Sequence, residues 1–198
     1  RKLDADEGVV DRIIPGDLHD RAAIENGVAG ADAVVHVAGL LAATRSREFG
    51  RVNVEGTKNV LDAASNIARG LDRFVLISTI AAGHPTAPGE IALEDDVPNP
   101  VSLYGRSKLE GERLALQFND RFGVTVIRPP VVYGPGDRES LMMFRMVKKG
   151  RVWFAGDLSA RVSIVFAQDL ADGIVDALEA RAAQNEIFHL TDDVRPTV

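Results

Sequence analysis

The sequence predicts an α/β fold, a doubly wound parallel sheet with helices packed on both faces. Short runs that are β-branched and almost continuously apolar recur along the chain, as strands covered on both faces require. Longer stretches with helical spacing separate them, without the block of hairpins that an all-β fold needs. Size agrees: 198 residues, 45% hydrophobic and 26% charged, suit one globular domain with enough chain to bury a core.

In chain order, Val9-Val10-Asp11-Arg12-Ile13-Ile14 is the first strand, closed by Pro15-Gly16. A short helix over Arg21 to Ala29 follows, then the strand Ala33-Val34-Val35-His36-Val37, ending in the small pair Ala38-Gly39. Phe49 to Arg69 has the spacing of a long helix, and Arg73-Phe74-Val75-Leu76-Ile77-Ser78 that of a buried strand. Gly83 to Pro100, with Pro85, Pro88, Pro98 and the cluster Glu94-Asp95-Asp96, is irregular and long enough to be an active-site loop. Ser102 to Phe122 begins on a hydroxyl cap and stops at Gly123, where the strand Val124-Thr125-Val126-Ile127 starts. Helices over Ser140 to Lys149 and Asp169 to Ala182 precede a last strand, Glu186 to Leu190. Met142, Met143, Phe144 and Met146 read as core or pocket lining, with core preferred.

Composition removes several functions. Lys+Arg 23 against Asp+Glu 29 gives a net charge of -6, the reverse of a nucleic-acid surface. No apolar run approaches the ~20 residues of a membrane span. Cysteine is absent, which excludes disulfides, thiolate nucleophiles and thiolate zinc sites. The histidines at 19, 36, 84 and 189 share no ligand spacing, so no metal site is expected. Arg1 to Asp6 lacks the apolar core of a signal peptide, and the chain reads as cytoplasmic.

Tyr104 and Lys108 lie one helical turn apart and share a face. A phenol near its ordinary pKa of ~10 is a poor base at neutral pH. A fixed cation beside it favours the phenolate and makes it usable for proton transfer. The strand ending at Ile77 delivers Ser78 and Thr79 to the carboxyl edge of the sheet, where ligands bind in open α/β folds. A hydroxyl there can hold a carbonyl or alcohol oxygen beside the tyrosine. The other strand end, Ala38-Gly39, lets a flat ligand approach the backbone. Asn53 sits in a helical stretch, where asparagine has poor propensity, and so has a local task.

Taken in order, these features resemble the extended short-chain dehydrogenase/reductases, the group of nucleotide-sugar epimerases and dehydratases and of dihydroflavonol-reductase-like and hydroxysteroid-dehydrogenase-like enzymes. The matching segments are Gly16-Asp17-Leu18, Asp32 to Gly39, Val52 to Thr57, Phe74 to Thr79, Tyr104-Gly105-Arg106-Ser107-Lys108, Arg128 to Asp137 and Asp169-Leu170-Ala171. The resemblance implies a Rossmann-like sheet and NAD or NADP as cofactor. It implies Tyr104 as proton donor or acceptor, Lys108 holding the nicotinamide ribose and lowering the tyrosine pKa, Thr79 orienting the reacting oxygen, and Asn53 holding a water or relay. Asp17 and Leu18 would meet the adenine, Ala38, Gly39 and Ser78 the cofactor backbone, and Pro129, Val131 and Val132 the nicotinamide end. Arg161 and His84 fall on the substrate side. A small-molecule substrate is implied, and a homodimer is compatible. Gly105, Ser107 and Gly134 read as packing and turn residues.

The departures from that family are informative. No Gly-rich turn precedes Asp17, so the expected sheet lacks its first two strands and the pyrophosphate cradle at a helix N-terminus. As written, the chain is expected to be a fragment that binds NAD(P) poorly and shows little activity. Residues 1–130 then form a truncated dinucleotide-binding core, and 131–198 a small substrate-binding segment interleaved with it. Thr79 is followed by Ile80-Ala81, where the family's dehydratases carry an Asp-Glu pair, so elimination chemistry is not expected. Val131 stands where many sugar-nucleotide epimerases carry asparagine. These differences favour a reductase or hydroxysteroid-dehydrogenase-like reaction over an epimerase, and the intact Thr79, Tyr104 and Lys108 set favours both over a non-catalytic dinucleotide sensor or scaffold.

Overall fold

The computed structural model describes residues 11–87, 89–150 and 162–192. Its main sheet is parallel, with β1 (Ala33–His36), β2 (Arg73–Ile77), β3 (Gly123–Arg128) and β6 (Ile187–His189) in the order β1-β2-β3-β6. Register runs Ala33 to Arg73, Arg73 to Gly123 and Arg128 to His189. A second, two-stranded parallel sheet joins β4 (Val131–Tyr133) to β5 (Ile164–Phe166).

Side-chain alternation divides the central strands between two cores. Phe74, Leu76, Val124 and Val126 pack with Val60, Leu61 and Ala64 of α3 (Gly56–Ile67) and with Ala115 of α4 (Leu103–Leu116). Val75, Ile77 and Ile127 pack instead with Leu170 and Ala177 of α6 (Ala167–Glu179). Helices thus cover both faces of an α/β sheet. The helix α1 (Arg21–Val28) closes on the first core through Val28, capped by the Asp20 carboxylate on the Ala23 N–H.

Several boundaries differ from those expected. Residues 9 and 10 lie outside the described residues, and 11–14 carry no strand. A strand exists only by pairing, and β1 pairs with β2 alone among the described strands; Ile13 is 53% exposed. The stretch 49–69 is not one helix. Helix α2 (Ser46–Phe49) passes into a π-helical turn over Gly50–Glu55, and α3 follows. Gly56 opens α3 because Leu18 lies against it, where a Cβ would sit 2.7 Å from the leucine Cδ1. Helix α4 stops at Leu116, ahead of Asn119 and Asp120, both weak helix formers. The β4–β5 pair was not anticipated, since three-residue strands after Pro129-Pro130 carry little periodicity. Met142, on α5 (Arg138–Lys148), is 63% exposed and is not core. Among the described residues no helix is long and apolar enough to cross a membrane.

Candidate active site

The site forms where β2 ends. The Ser78 N–H continues the ladder onto the Ile127 carbonyl at 2.7 Å, and the Ile80 N–H bonds the Pro129 carbonyl at 3.0 Å. Between them Thr79 is extended, and its hydroxyl oxygen accepts the Ala81 N–H at 3.2 Å, capping the short turn over Ile80–Ala82.

Helix α4 lies across that turn. Ser102 caps it, accepting the Gly105 N–H at 2.9 Å, as the sequence indicated. Gly105 allows the approach, since a Cβ there would fall 2.0 Å from the Ala81 carbonyl oxygen. One residue earlier, the half-buried Tyr104 lies beside the Thr79 side chain, which favours its phenolate form. Its ring packs at a tilt on Phe49, centroids 6.3 Å apart. One turn later Lys108 is buried and donates Nζ to the Ile77 carbonyl at 2.6 Å.

The electrostatics correct one expectation. Burial raises the Tyr104 phenol above its ordinary value, and the Thr79 side chain opposes that rise. Lys108, its ammonium turned to the Ile77 carbonyl, is not among the groups that shift the phenol. Burial brings Lys108 itself down to about 8, against support from the Glu112 carboxylate.

Asn53, on the π turn, has every polar side-chain atom engaged. Its Oδ1 accepts the Leu40 N–H at 2.7 Å, while Nδ2 donates to the Leu40 carbonyl at 3.1 Å and to the Ser107 hydroxyl at 2.9 Å. Those bonds hold the segment after β1 against α4. A Cβ on Gly39 would meet both Asn53 Oδ1 and Lys108 Nζ at 3.4 Å. Behind them, the Thr57 hydroxyl donates to the Asn53 carbonyl at 2.8 Å, so its contact with His36 Nε2 at 3.0 Å requires the imidazole to donate. Burial, then the nearby Lys108 charge, lowers His36 to about 4.

The other expected residues are more dispersed. Ser78 commits its hydroxyl to Glu112 Oε1. Pro129 is buried, while Val131 and Val132 are exposed on β4. Asp17 is exposed and accepts the His19 N–H at 2.6 Å; Leu18 packs against the first core, its carbonyl held by Asn59. His84 points both ring nitrogens into its own loop, at the Pro85 carbonyl and the Asp96 carboxylate, each 3.0 Å away. Arg161 lies outside the described residues. Of the expected residues, Thr79 and Tyr104 therefore stand side by side where α4 meets the end of β2, and Gly39, Asn53 and Lys108 lie close together after β1.

Sequence reasoning missed a buried ion pair behind this group. Arg128, at the end of β3, donates Nε to Glu112 Oε1 at 3.0 Å and Nη2 to Oε2 at 2.7 Å. The signal was an arginine closing an apolar strand and a glutamate four residues after Lys108 on the same helix face. Among the described residues, no group of three or more acidic or histidine side chains could hold a metal.

Residues 1–190 match the family model described as "NAD dependent epimerase/dehydratase family". The chain is 32% identical over 163 residues to the ceramide reductase of Caulobacter vibrioides, covering 82% of this chain and 45% of that protein. It is 30% identical over 201 residues to the UDP-glucose 4-epimerase of Vibrio cholerae, covering 96% of this chain and 60% of that one. Among solved structures, MoeE5 in complex with UDP-glucose and NAD superposes with a TM-score of 0.81 at 27% identity, over 93% of this chain and 64% of that one. The chain spans about half the length of the curated relatives it matches.

Proposed function

The chain belongs to the NAD dependent epimerase/dehydratase family, and from that premise we propose that the protein is an NAD(P)-dependent oxidoreductase acting on a small carbonyl compound or secondary alcohol. The observation that carries this reading is Tyr104 on α4 set beside Thr79 at the end of β2, with the buried Lys108 one turn behind it. The resemblance to a ceramide reductase supports a carbonyl substrate.

The residues fit a dinucleotide. Gly39 presents bare backbone beside the Lys108 ammonium, in a space that a Cβ would crowd from both Asn53 and Lys108. Lys108 would hold ribose hydroxyls, Ala38 and Gly39 the adjoining backbone, and Val131 and Val132 the nicotinamide end, with Asp17 and Leu18 toward the adenine. Bound there, nicotinamide supplies the carbon that gives or accepts hydride. In reduction, Tyr104 Oη gives its proton to the substrate oxygen and recovers one from solvent; in oxidation it takes the alcohol proton. Thr79 steadies that oxygen by a hydrogen bond. The Thr79 side chain also favours the phenolate when the proton leaves. In this reading residues 1–130 carry the cofactor half and 131–198 the substrate segment, which returns β6 to the main sheet.

A second reading, epimerisation of a sugar nucleotide, is favoured by the likeness to MoeE5 in complex with UDP-glucose and NAD. There the same tyrosine would take and return the hydroxyl proton while one carbon is oxidised and re-reduced by hydride exchange with a bound nicotinamide. Val131, exposed at the start of β4 rather than a polar group, supports the reductase instead. The test follows NADH and NADPH at saturating cofactor with a panel of ketones and alcohols. Stoichiometric oxidation or reduction that falls about 10²–10⁴-fold in Tyr104→Phe supports the first reading. Interconversion of UDP-sugars without net cofactor change would replace it by the second, and an unimpaired Tyr104→Phe would overturn both.

A further inference from the structure

We propose that the buried Glu112–Arg128 pair is a positioning device that fixes α4 in register against the end of β2, and so sets where Tyr104 and Lys108 stand. Three successive turns of α4 engage three successive residues of one strand end. Tyr104 meets Thr79, Lys108 meets the Ile77 carbonyl, and Glu112 takes the Ser78 hydroxyl. Only the last of these contacts is held from a third element. Arg128 grips both carboxylate oxygens from β3, the strand beside β2.

The pair is 2% and 1% exposed at its side chains. Such a pair is weak as a stability device, because removing two charges from water costs about as much as their attraction returns. Its geometric demand is strict, since a bidentate guanidinium–carboxylate contact tolerates little rotation or sliding. A slip of α4 by part of a turn would break that contact before it freed Tyr104. Glu112 also supports the Lys108 charge from one turn away, whereas His36 on β1 faces the same ammonium and titrates well below neutrality. Glu94 of the 83–100 loop accepts the His189 N–H at 2.9 Å, which chiefly holds its carboxyl below the ordinary value, with a small added pull from the Arg128 charge. The pair itself ties α4 to β3 at one buried point.

The consequence for rate rests on the oxidoreductase reading above, so the test includes a readout that needs no turnover. Glu112→Gln keeps the side-chain shape and removes the charge. Glu112→Met with Arg128→Met removes both charges at similar volume, and keeps the question answerable if the single variant leaves Arg128 unpaired and unfolds. Lys108 is titrated by NMR of isotopically labelled lysine, its resonance identified as the one lost in Lys108→Arg. In Glu112→Gln, or in the double variant where the single one does not fold, the Lys108 midpoint is expected to fall by about one unit. The turnover number is expected to fall about tenfold or more, and by clearly more than NAD(P)H affinity does. A folded variant with both the midpoint and the turnover number of the parent overturns the proposal. So does a loss of turnover that merely follows lost cofactor binding. If the parent itself shows no turnover, that outcome bears on the oxidoreductase reading alone, and the positioning claim is decided by the backbone amide resonances of Tyr104 and Lys108, which move in the variants if the pair sets α4 and stay in place if it does not.

Discussion

Gly105 lies against Ala81 so closely that a Cβ on the glycine would stand 2.0 Å from the alanine carbonyl oxygen. The obstacle is backbone, in a turn pinned by the Ile80 N–H on Pro129 and by Thr79. It cannot swing aside as a flexible side chain would. This one contact brings Tyr104 to Thr79, since the tyrosine is the preceding residue of the same helix.

Gly105→Ala should therefore destabilise the fold by roughly 1–3 kcal/mol, the usual cost of overpacking, although alanine is the better helix former. Urea unfolding of the two proteins measures it. An unchanged or raised midpoint would mean that α4 does not bear on the 80–82 turn as described.

Asn53→Asp tests the clamp on the segment after β1. Asparagine there both accepts from the Leu40 N–H and donates to the Leu40 carbonyl and the Ser107 hydroxyl. A carboxylate keeps the first bond and sets a buried negative charge against the carbonyl. Leaving buried groups unsatisfied costs about 1–3 kcal/mol, more when one is charged. The variant should lose at least that much in chemical denaturation, and more above the carboxylate pKa than below it. A pH-independent, near-neutral change would show that these bonds do not hold Asn53 as described.

The sheet and the Tyr104–Lys108 pair were legible because each rests on local periodicity: β2 is apolar at every position after Arg73, and a spacing of four puts the two side chains on one helix face. What was hidden depends on contacts between distant segments. The π turn forms around Asn53, whose partners are Leu40 and Ser107, and nothing within 50–55 announces them. Glu112 reads as one more charge on a helix until Arg128, sixteen residues on, is seen to reach it inside the core. The 9–14 run failed for the opposite reason. Its composition suits a strand, but among the described residues 11–14 have no strand to pair with, and pairing rather than propensity decides.

His36 predicts an acid-sensitive fold. Its folded value of about 4 lies below the ordinary 6.5, so below pH 6.5 the unfolded chain binds a proton that the folded one refuses. Stability from this group is complete above 6.5 and is lost as pH falls through 4. The shift corresponds to roughly 3 kcal/mol. Urea midpoints measured across this window should fall for the parent, and His36→Leu should flatten that fall. An equal slope in both proteins would remove His36 as its cause.

Dinucleotide affinity is the remaining expectation. The residues suited to the nicotinamide half are Gly39, Lys108, Val131 and Val132, with the Lys108 ammonium next to the bare backbone of Gly39. A charge-assisted hydrogen bond is worth about 1.5–3 kcal/mol, or about 10–10² in dissociation constant. Isothermal titration of this chain with NADH and NADPH should therefore show binding weakened by about that factor in Lys108→Ala. Binding indifferent to Lys108→Ala would place the dinucleotide elsewhere and detach Gly39 and Lys108 from cofactor recognition.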